Sequence, residues 1–275
     1  MGRCAEGCQK FGRFIYNPSK NAFFGRTCKS WALIFIYFAV FYTCLAGFFV
    51  GMLSVLIYGL LSNTAPSLTG MQSLLKLNPG LGYLPRVDVD KPLLQVSTFD
   101  SYTRRWYLNA TEEFLKNYVN NTNCDLTRPT PPSGDVRDVC RFPKYLLGPC
   151  ANPEKALNGE ELCIYVKLNK VYGWLPDING TEITMKCGPA NSFDGQQLGE
   201  PRYYPEAKGN STMGAFYSIF FPYINQEDYE LPLVAVTFPK LTKNTLVMIE
   251  CSLVNVGYHD EQFRLDLTLD TVPPW

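Results

Sequence analysis

Residues 31–61 read WALIFIYFAVFYTCLAGFFVGMLSVLIYGLL, from Trp31 to Leu61, and hold no charged side chain. After Lys29 the next charge is Lys76. A helix needs roughly 20 apolar residues to cross the hydrocarbon core of a bilayer. This run is longer than that, and longer than the apolar core of a secretory signal peptide. It predicts one transmembrane signal-anchor helix. No second run of comparable length follows. The buried core helix of a soluble protein, the other reading of an apolar segment, is a poor match for this length.

Charge divides the chain around the run. Residues 1–30 carry Arg3, Lys10, Arg13, Lys20, Arg26 and Lys29 against the single acid Glu6, while the whole chain balances 25 basic with 25 acidic residues. The tail is therefore basic and residues 62–275 are acidic in balance. Basic flanks stay in the cytosol, which predicts a type II orientation with the C-terminal portion outside. Topology and attraction to anionic membrane lipid account for the basic tail, so no nucleic-acid partner is expected.

Sugar-acceptor motifs and cysteines follow the same division. Asn-x-Ser/Thr occurs at Asn109, Asn120, Asn179 and Asn210, all after the run. Before it, Pro18 spoils Asn17. Cys124, Cys140, Cys150, Cys163, Cys187 and Cys251 lie in the portion expected to be outside. Six cysteines in an oxidising compartment predict three disulfides, with fifteen possible connectivities. Cys4 and Cys8 have no histidine nearby, which argues against a zinc site.

Four zones result: a cytosolic basic tail at 1–30, the span at 31–61, an extracellular stem at 62–98 and a folded domain at 99–275. The stem carries Pro66, Pro79, Pro85 and Pro92 and is expected to be extended and irregular. From Asp100 to Asn120 the spacing predicts a helix whose apolar face is Tyr102, Trp106, Ala110, Phe114 and Tyr118, with Leu115 beside it. After a Pro/Gly loop at 126–135 the period falls to two. Ile164, Val166 and Leu168 alternate with polar or larger residues, as do Phe263, Leu265, Leu267 and Leu269. Further apolar strands are expected at 233–238 and 245–256. Such alternation suits antiparallel sheets with one buried face, so the fold class is a mainly β sandwich carrying one helix.

Chemistry-bearing motifs are sparse. The single histidine, His259, sits in a polar turn, where a surface role is the better reading than membership of a catalytic triad. No phosphate-loop or dinucleotide fingerprint is present, and no cofactor or metal is expected. Asp88-Val89-Asp90 has the form of the metal-binding pair of Golgi glycosyltransferases, which share this topology. It lies in the proline-bounded stem with no βαβ alternation around it, against that reading. Within the span, Thr43, Gly47 and Gly51 recur every fourth residue and make a small-residue stripe, with Tyr37 and Tyr42 off it. Such stripes let two helices approach closely, though small residues are also tolerated in any span.

Taken in order, these segments resemble the β subunit of the animal sodium/potassium and proton/potassium pumps. The tail pieces are Phe14-Ile15-Tyr16-Asn17, Phe24-Gly25-Arg26-Thr27 and Ser30-Trp31. The span piece is Phe41-Tyr42-Thr43-Cys44-Leu45-Ala46-Gly47 with Gly51. Beyond it come Val139-Cys140-Arg141-Phe142, Leu147-Gly148-Pro149-Cys150, Cys163 through Val171, Leu231 through Val236, Ile249-Glu250-Cys251 and Val256-Gly257-Tyr258. The chain departs from the family at Phe38, where a second span tyrosine is common. It also departs at Phe220-Phe221-Pro222-Tyr223, a shortened form of a tyrosine-rich family segment.

The resemblance implies sequential disulfides, Cys124–Cys140, Cys150–Cys163 and Cys187–Cys251, and an immunoglobulin-like sandwich. It implies a plasma-membrane protein that performs no chemistry itself. Its partner would be the multi-span catalytic α subunit, contacted in the membrane through Tyr42, with Tyr37, Thr43, Gly47 and Gly51 as the other candidate contacts, and a small single-span third subunit is a further partner that it admits. The implied role is to help α fold, leave the endoplasmic reticulum and reach the cell surface, and to adjust potassium affinity. A cell-surface adhesion or recognition glycoprotein is the alternative of a different class.

Overall fold

A computed structural model describes residues 15–17, 22–62, 65–69, 78–86, 93–120, 125–126, 139–176, 181–256 and 262–271. The chain divides into two units, 1–63 and 64–275.

In the first unit, three two-residue strands precede the span: β1 (Tyr16–Asn17), β2 (Ala22–Phe23) and β3 (Arg26–Thr27), joined antiparallel in that order. The β2–β3 turn is Phe24-Gly25, both at positive φ (50° and 75°), the conformation of a two-residue hairpin turn. Helix α1 (Cys28–Ser54) follows directly and continues as a π-helical segment, Val55–Leu60. Twenty-seven residues at 1.5 Å each give about 40 Å, more than the roughly 30 Å of hydrocarbon to be crossed. Together Cys28–Leu60 form a helix of mean hydropathy 2.3, long and apolar enough to cross a membrane, with none of its residues buried within the chain. The helix starts three residues before the uncharged run because extended Thr27 ends the hairpin there and Cys28 opens the first turn. Indole Nε1 of Trp31 donates to the carbonyl of Phe23 at 2.8 Å and ties that turn to the hairpin.

The second unit is the expected mainly β sandwich. One sheet has six strands in the order β5 (Leu93–Ser97), β13 (Gln262–Asp270), β12 (Val247–Leu253), β7 (Glu182–Pro189), β10 (Asn210–Tyr217), β9 (Glu206–Ala207). The other has four: β4 (Leu81–Leu84), β6 (Ile164–Leu168), β11 (Leu233–Thr237), β8 (Arg202–Tyr204). Every pairing is antiparallel except β5 with β13. Between the sheets pack Val166 and Val234 from the small sheet with Ile249, Leu265 and Leu267 from the large one.

The two sheets differ in how they read. Strand β12 buries Val247, Ile249, Cys251 and Leu253 and leaves Met248, Glu250 and Ser252 less covered. Strand β11, Leu-Val-Ala-Val-Thr, is buried throughout, because the small sheet is covered on both faces. Its second face, with Tyr165, Leu233 and Ala235, packs under Leu115, Tyr118, Phe142, Leu147 and Phe220.

Two sequence expectations need correction. Strands β4 and β5 both lie within residues 62–98, the segment read as an irregular stem, and Leu94 and Val96 are in the core. The sandwich therefore begins upstream of residue 99; the prolines flank these short strands rather than interrupt them. The helix at Asp100 also buries its predicted face only in part. Helix α2 (Ser101–Leu115) is N-capped by Asp100, whose carboxylate accepts from the amides of Tyr102 and Thr103, each at 3.1 Å. Those two bonds hold the Asp100 carboxyl below its ordinary range. Its buried residues are Tyr107, Thr111 and Leu115, while Tyr102 is 77% exposed. A threonine can be buried here because its Oγ1 donates to the carbonyl of Tyr107 at 2.8 Å. Trp106 and Phe114 of the predicted face are half-buried against the core and Tyr118 is buried, so the deepest burial runs beside the aromatic stripe rather than away from it.

Candidate functional site

The membrane-length helix carries the first candidate surface. Hydroxyl Oγ1 of Thr43 donates to the carbonyl of Ala39 at 2.7 Å, which folds the polar group against its own backbone. A Cβ built on Gly47 or Gly51 meets nothing within 4 Å. Among the described residues of this unit, nothing fills the space beside the two glycines. Beside it, Tyr37 stacks on Phe41 (centroids 6.3 Å apart) and Phe38 on Tyr42 (6.0 Å). Edge contacts Tyr37–Phe38 and Phe41–Tyr42, both 5.4 Å, link the two pairs into one aromatic ladder. Phe38, the departure from the family pattern, thus takes a place in this ladder beside Tyr42.

The second candidate is the covalent frame of the sandwich. Cys187 on β7 and Cys251 on β12 stand directly opposite each other and are bridged, closing a loop of 64 positions with 4.0 Å between Cα atoms. Cys150 and Cys163 are bridged over 13 positions. Cys140 is also disulfide-bonded, whereas Cys124 lies outside the described residues. Cys28 and Cys44 are free thiols.

Each described bridge is held by buried tyrosines that sequence reasoning missed. The Tyr107 phenol donates to the carbonyl of Cys163 at 2.9 Å and accepts from its amide at 3.1 Å. Tyr165 donates to the carbonyl of Cys150 at 2.8 Å. Tyr203 donates to the carbonyl of Cys187 at 3.2 Å and accepts from its amide at 2.8 Å. In a water-free interior an unpaired backbone group costs about 1–3 kcal/mol, so these phenols satisfy what the sheet ladders leave open. Burial pushes the Tyr203 phenol up to about 12 and raises Tyr107 and Tyr165 as well, so all three stay protonated donors. No local pattern announces this set: Tyr107 and Cys163 are 56 positions apart.

Near the shortened family segment, Phe220 and Phe221 are buried, and the ammonium of Lys170 lies 5.1 Å from the Tyr223 ring and 5.6 Å from that of Tyr229. Burial raises the neighbouring Glu230 carboxyl, against the pull of Lys170 and Arg141.

Three of the four asparagines in Asn-x-Ser/Thr motifs, Asn109 on α2, Asn120 after it and Asn210 at the start of β10, are exposed. Asn179 lies outside the described residues, as do His259 and Asp88-Val89-Asp90.

Comparison with known proteins agrees with this arrangement across the chain. The family model described as "Sodium / potassium ATPase beta chain" matches residues 1–266. The "Sodium/potassium-transporting ATPase subunit beta-2" of Rhinella marina is 30% identical over 286 residues, covering 96% of this chain and 92% of that protein. The "Probable sodium/potassium-transporting ATPase subunit beta-3" of Caenorhabditis briggsae is 29% identical, covering 88% and 79%. The beta-1 subunit of Drosophila melanogaster is 28% identical, covering 88% and 84%. With a membrane-length helix, a disulfide-stapled sandwich and a family match over nearly its whole length, the chain belongs to the sodium/potassium ATPase beta chain family.

Proposed function

We propose that this chain is the non-catalytic β subunit of a sodium/potassium-transporting P-type ATPase. It pairs with the catalytic α subunit and is needed for α to fold, leave the endoplasmic reticulum and reach the plasma membrane. It also tunes potassium affinity. The observation that carries this reading is the family match over residues 1–266. The unoccupied stripe on α1 supports it by offering a second helix a close approach. The test is purification of the chain from membranes. A P-type ATPase should accompany it in fixed stoichiometry; recovery of the chain alone from gently solubilised membranes overturns the proposal.

The proposal includes orientation, with residues 1–30 in the cytosol beside anionic lipid and the sandwich outside. Glycosidase treatment should collapse a ladder of up to four glycoforms, at Asn109, Asn120, Asn179 and Asn210, to the bare chain. On intact cells, external protease should reach the sandwich but not Lys10. Cleavage at the tail with protection of the sandwich reverses the orientation.

Contact in the membrane gives a sharper expectation. Leucine at Gly47 puts bulk where backbones are to meet, and Gly47→Leu should lower the yield of α–β complex severalfold. Leu45→Phe adds bulk two positions from Thr43, about 200° around the helix and away from the stripe. It should leave the yield near that of the native chain. Equal yields from the two variants, measured by co-purification, remove the stripe from the interface.

A further inference from the structure

The strongest unassigned feature is a groove at the free edge of the six-stranded sheet. Strand β9 is the last strand there and only two residues long, and it pairs with β10 through a slipped register. Asn210 faces Ala207, but the next partner of the hairpin is Gly214 with Glu206. Residues 211–213 therefore bulge from the ladder, and Ser211 and Thr212 line a groove of about 490 Å³. That volume falls within the roughly 300–1,000 Å³ typical of small-molecule sites. The remaining wall is polar and of mixed charge: Lys186 from β7, Arg202 from β8, Lys240 beyond β11, and the carboxylates of Glu200 and Glu206. Pro201 and Pro239 add apolar surface. Among the described residues no ion pair engages Lys186 or Lys240.

Ser211 and Thr212 belong to the acceptor motif of Asn210. The Asn210 side-chain oxygen accepts from the amide of Thr212 at 3.0 Å and from its hydroxyl at 2.6 Å. Its oxygen is held against the bulge, and Nδ2, the atom that would carry a sugar, makes no hydrogen bond among the described residues.

We propose that this groove seats the first sugars of an N-linked glycan on Asn210; the inference rests on the reading of Asn210 as glycosylated. The chemistry suits N-acetylglucosamine units. These are neutral and rich in hydroxyls that both donate and accept, so a wall alternating ammonium, guanidinium and carboxylate groups serves them where an anion would want cations alone. The acetamide methyl groups meet the proline surface. Seated there, the glycan covers a sheet edge that offers an otherwise open strand for pairing.

The test compares glycan release by a peptide N-glycosidase from the native, full-length α–β complex, read site by site by mass spectrometry. Seating predicts that Asn210 is released about tenfold more slowly than exposed Asn109, the factor that 1.4 kcal/mol of protection gives. The double variant Lys186→Ala/Lys240→Ala, which alters only exposed side chains, should bring the Asn210 rate up to that of Asn109. Equal rates in the native complex overturn the proposal, as does a slow Asn210 rate unchanged by the double variant. An Asn210 found without sugar overturns the underlying glycosylation reading instead, and the proposal with it.

Discussion

Replacing Cys187 or Cys251 by serine should retain the chain in the endoplasmic reticulum and remove pump activity from the cell surface. Both cysteines are in the inter-sheet core at 1% exposure, on the central pair of strands in the large sheet. In the chain-entropy account, a crosslink over 64 positions is worth about 4 kcal/mol, against about 3 for the 13-position Cys150–Cys163 loop. Either is a large share of the roughly 5–15 kcal/mol that separates a folded domain from its unfolded chain. The serine variant adds a second cost, since its hydroxyl and the orphaned thiol of the partner remain buried without the bridge. Because the proposed role makes α depend on this subunit for export, surface α and ATPase activity should fall together although no catalytic group is touched. The measurement is surface α and ATPase turnover in cells whose only β subunit is the variant. Normal surface activity with Cys187→Ser separates this bridge from the export role.

A comparable loss is expected from a single methyl group at Gly148. This residue has φ 54° and ψ −129°, inside the turn that carries Cys150, a backbone conformation open to glycine and strained for other residues. Cost from conformation alone is of the order of 1–3 kcal/mol. A Cβ here would also lie 2.6 Å from Cδ1 of the Tyr204 ring, and ring and turn must separate to admit it. Overpacking of that kind costs typically another 1–3 kcal/mol. Gly148→Ala should therefore destabilise the sandwich by several kcal/mol. In contrast, Gly188→Ala, where a Cβ meets nothing within 4 Å, should be nearly silent. Thermal unfolding of the purified subunit, with the two variants side by side, reads the difference. Equal melting temperatures would show that the turn yields more easily than its geometry indicates.

How much of this was visible in the sequence depended on the range over which each signal acts. The span and strands β12 and β13 were legible because their apolar patterns are local and long. Strands β4 and β5 were not, because four or five residues beside prolines give too short an alternation to count. The α2 face was legible only in part: Trp106, Phe114 and Leu115 do pack on the core, but the pattern does not show Tyr107 and Thr111. Tyr102, Trp106 and Phe114 form the more apolar stripe, yet the deepest burial follows Tyr107, whose hydroxyl bonds the backbone of distant Cys163, and Thr111, whose hydroxyl bonds a carbonyl of its own helix. The π-helical turn at Val55–Leu60 leaves no compositional trace in a uniformly apolar run. Of the candidate site, the acceptor asparagines and the small-residue stripe could be read directly. The tyrosines that bond the bridged cysteines could not, since each joins residues from separate elements. Nor could the Asn210 groove, which exists only where β7, β8 and the β9–β10 bulge converge.

The parallel pairing of β5 with β13 has a consequence for the order of events during synthesis. Strand β5 leaves the ribosome early, at residues 93–97, but the strand it lies against spans residues 262–270. Thr98 likewise waits, its amide donating to the carbonyl of Asp270 at 2.9 Å. Such distant pairing is slow, because the long intervening loop must close before any contact rewards it. The nascent domain consequently stays unsealed along one flank until its final strand has been translated. Until then Leu94 and Val96 lack the cover that buries them, and, in the proposed orientation, a lumenal chaperone has an apolar segment to hold. Under the proposed role, completion of translation, rather than arrival of the membrane helix, should then be the step that allows a subunit to pass inspection. Chains ending before β13 should be held back however well their span is inserted.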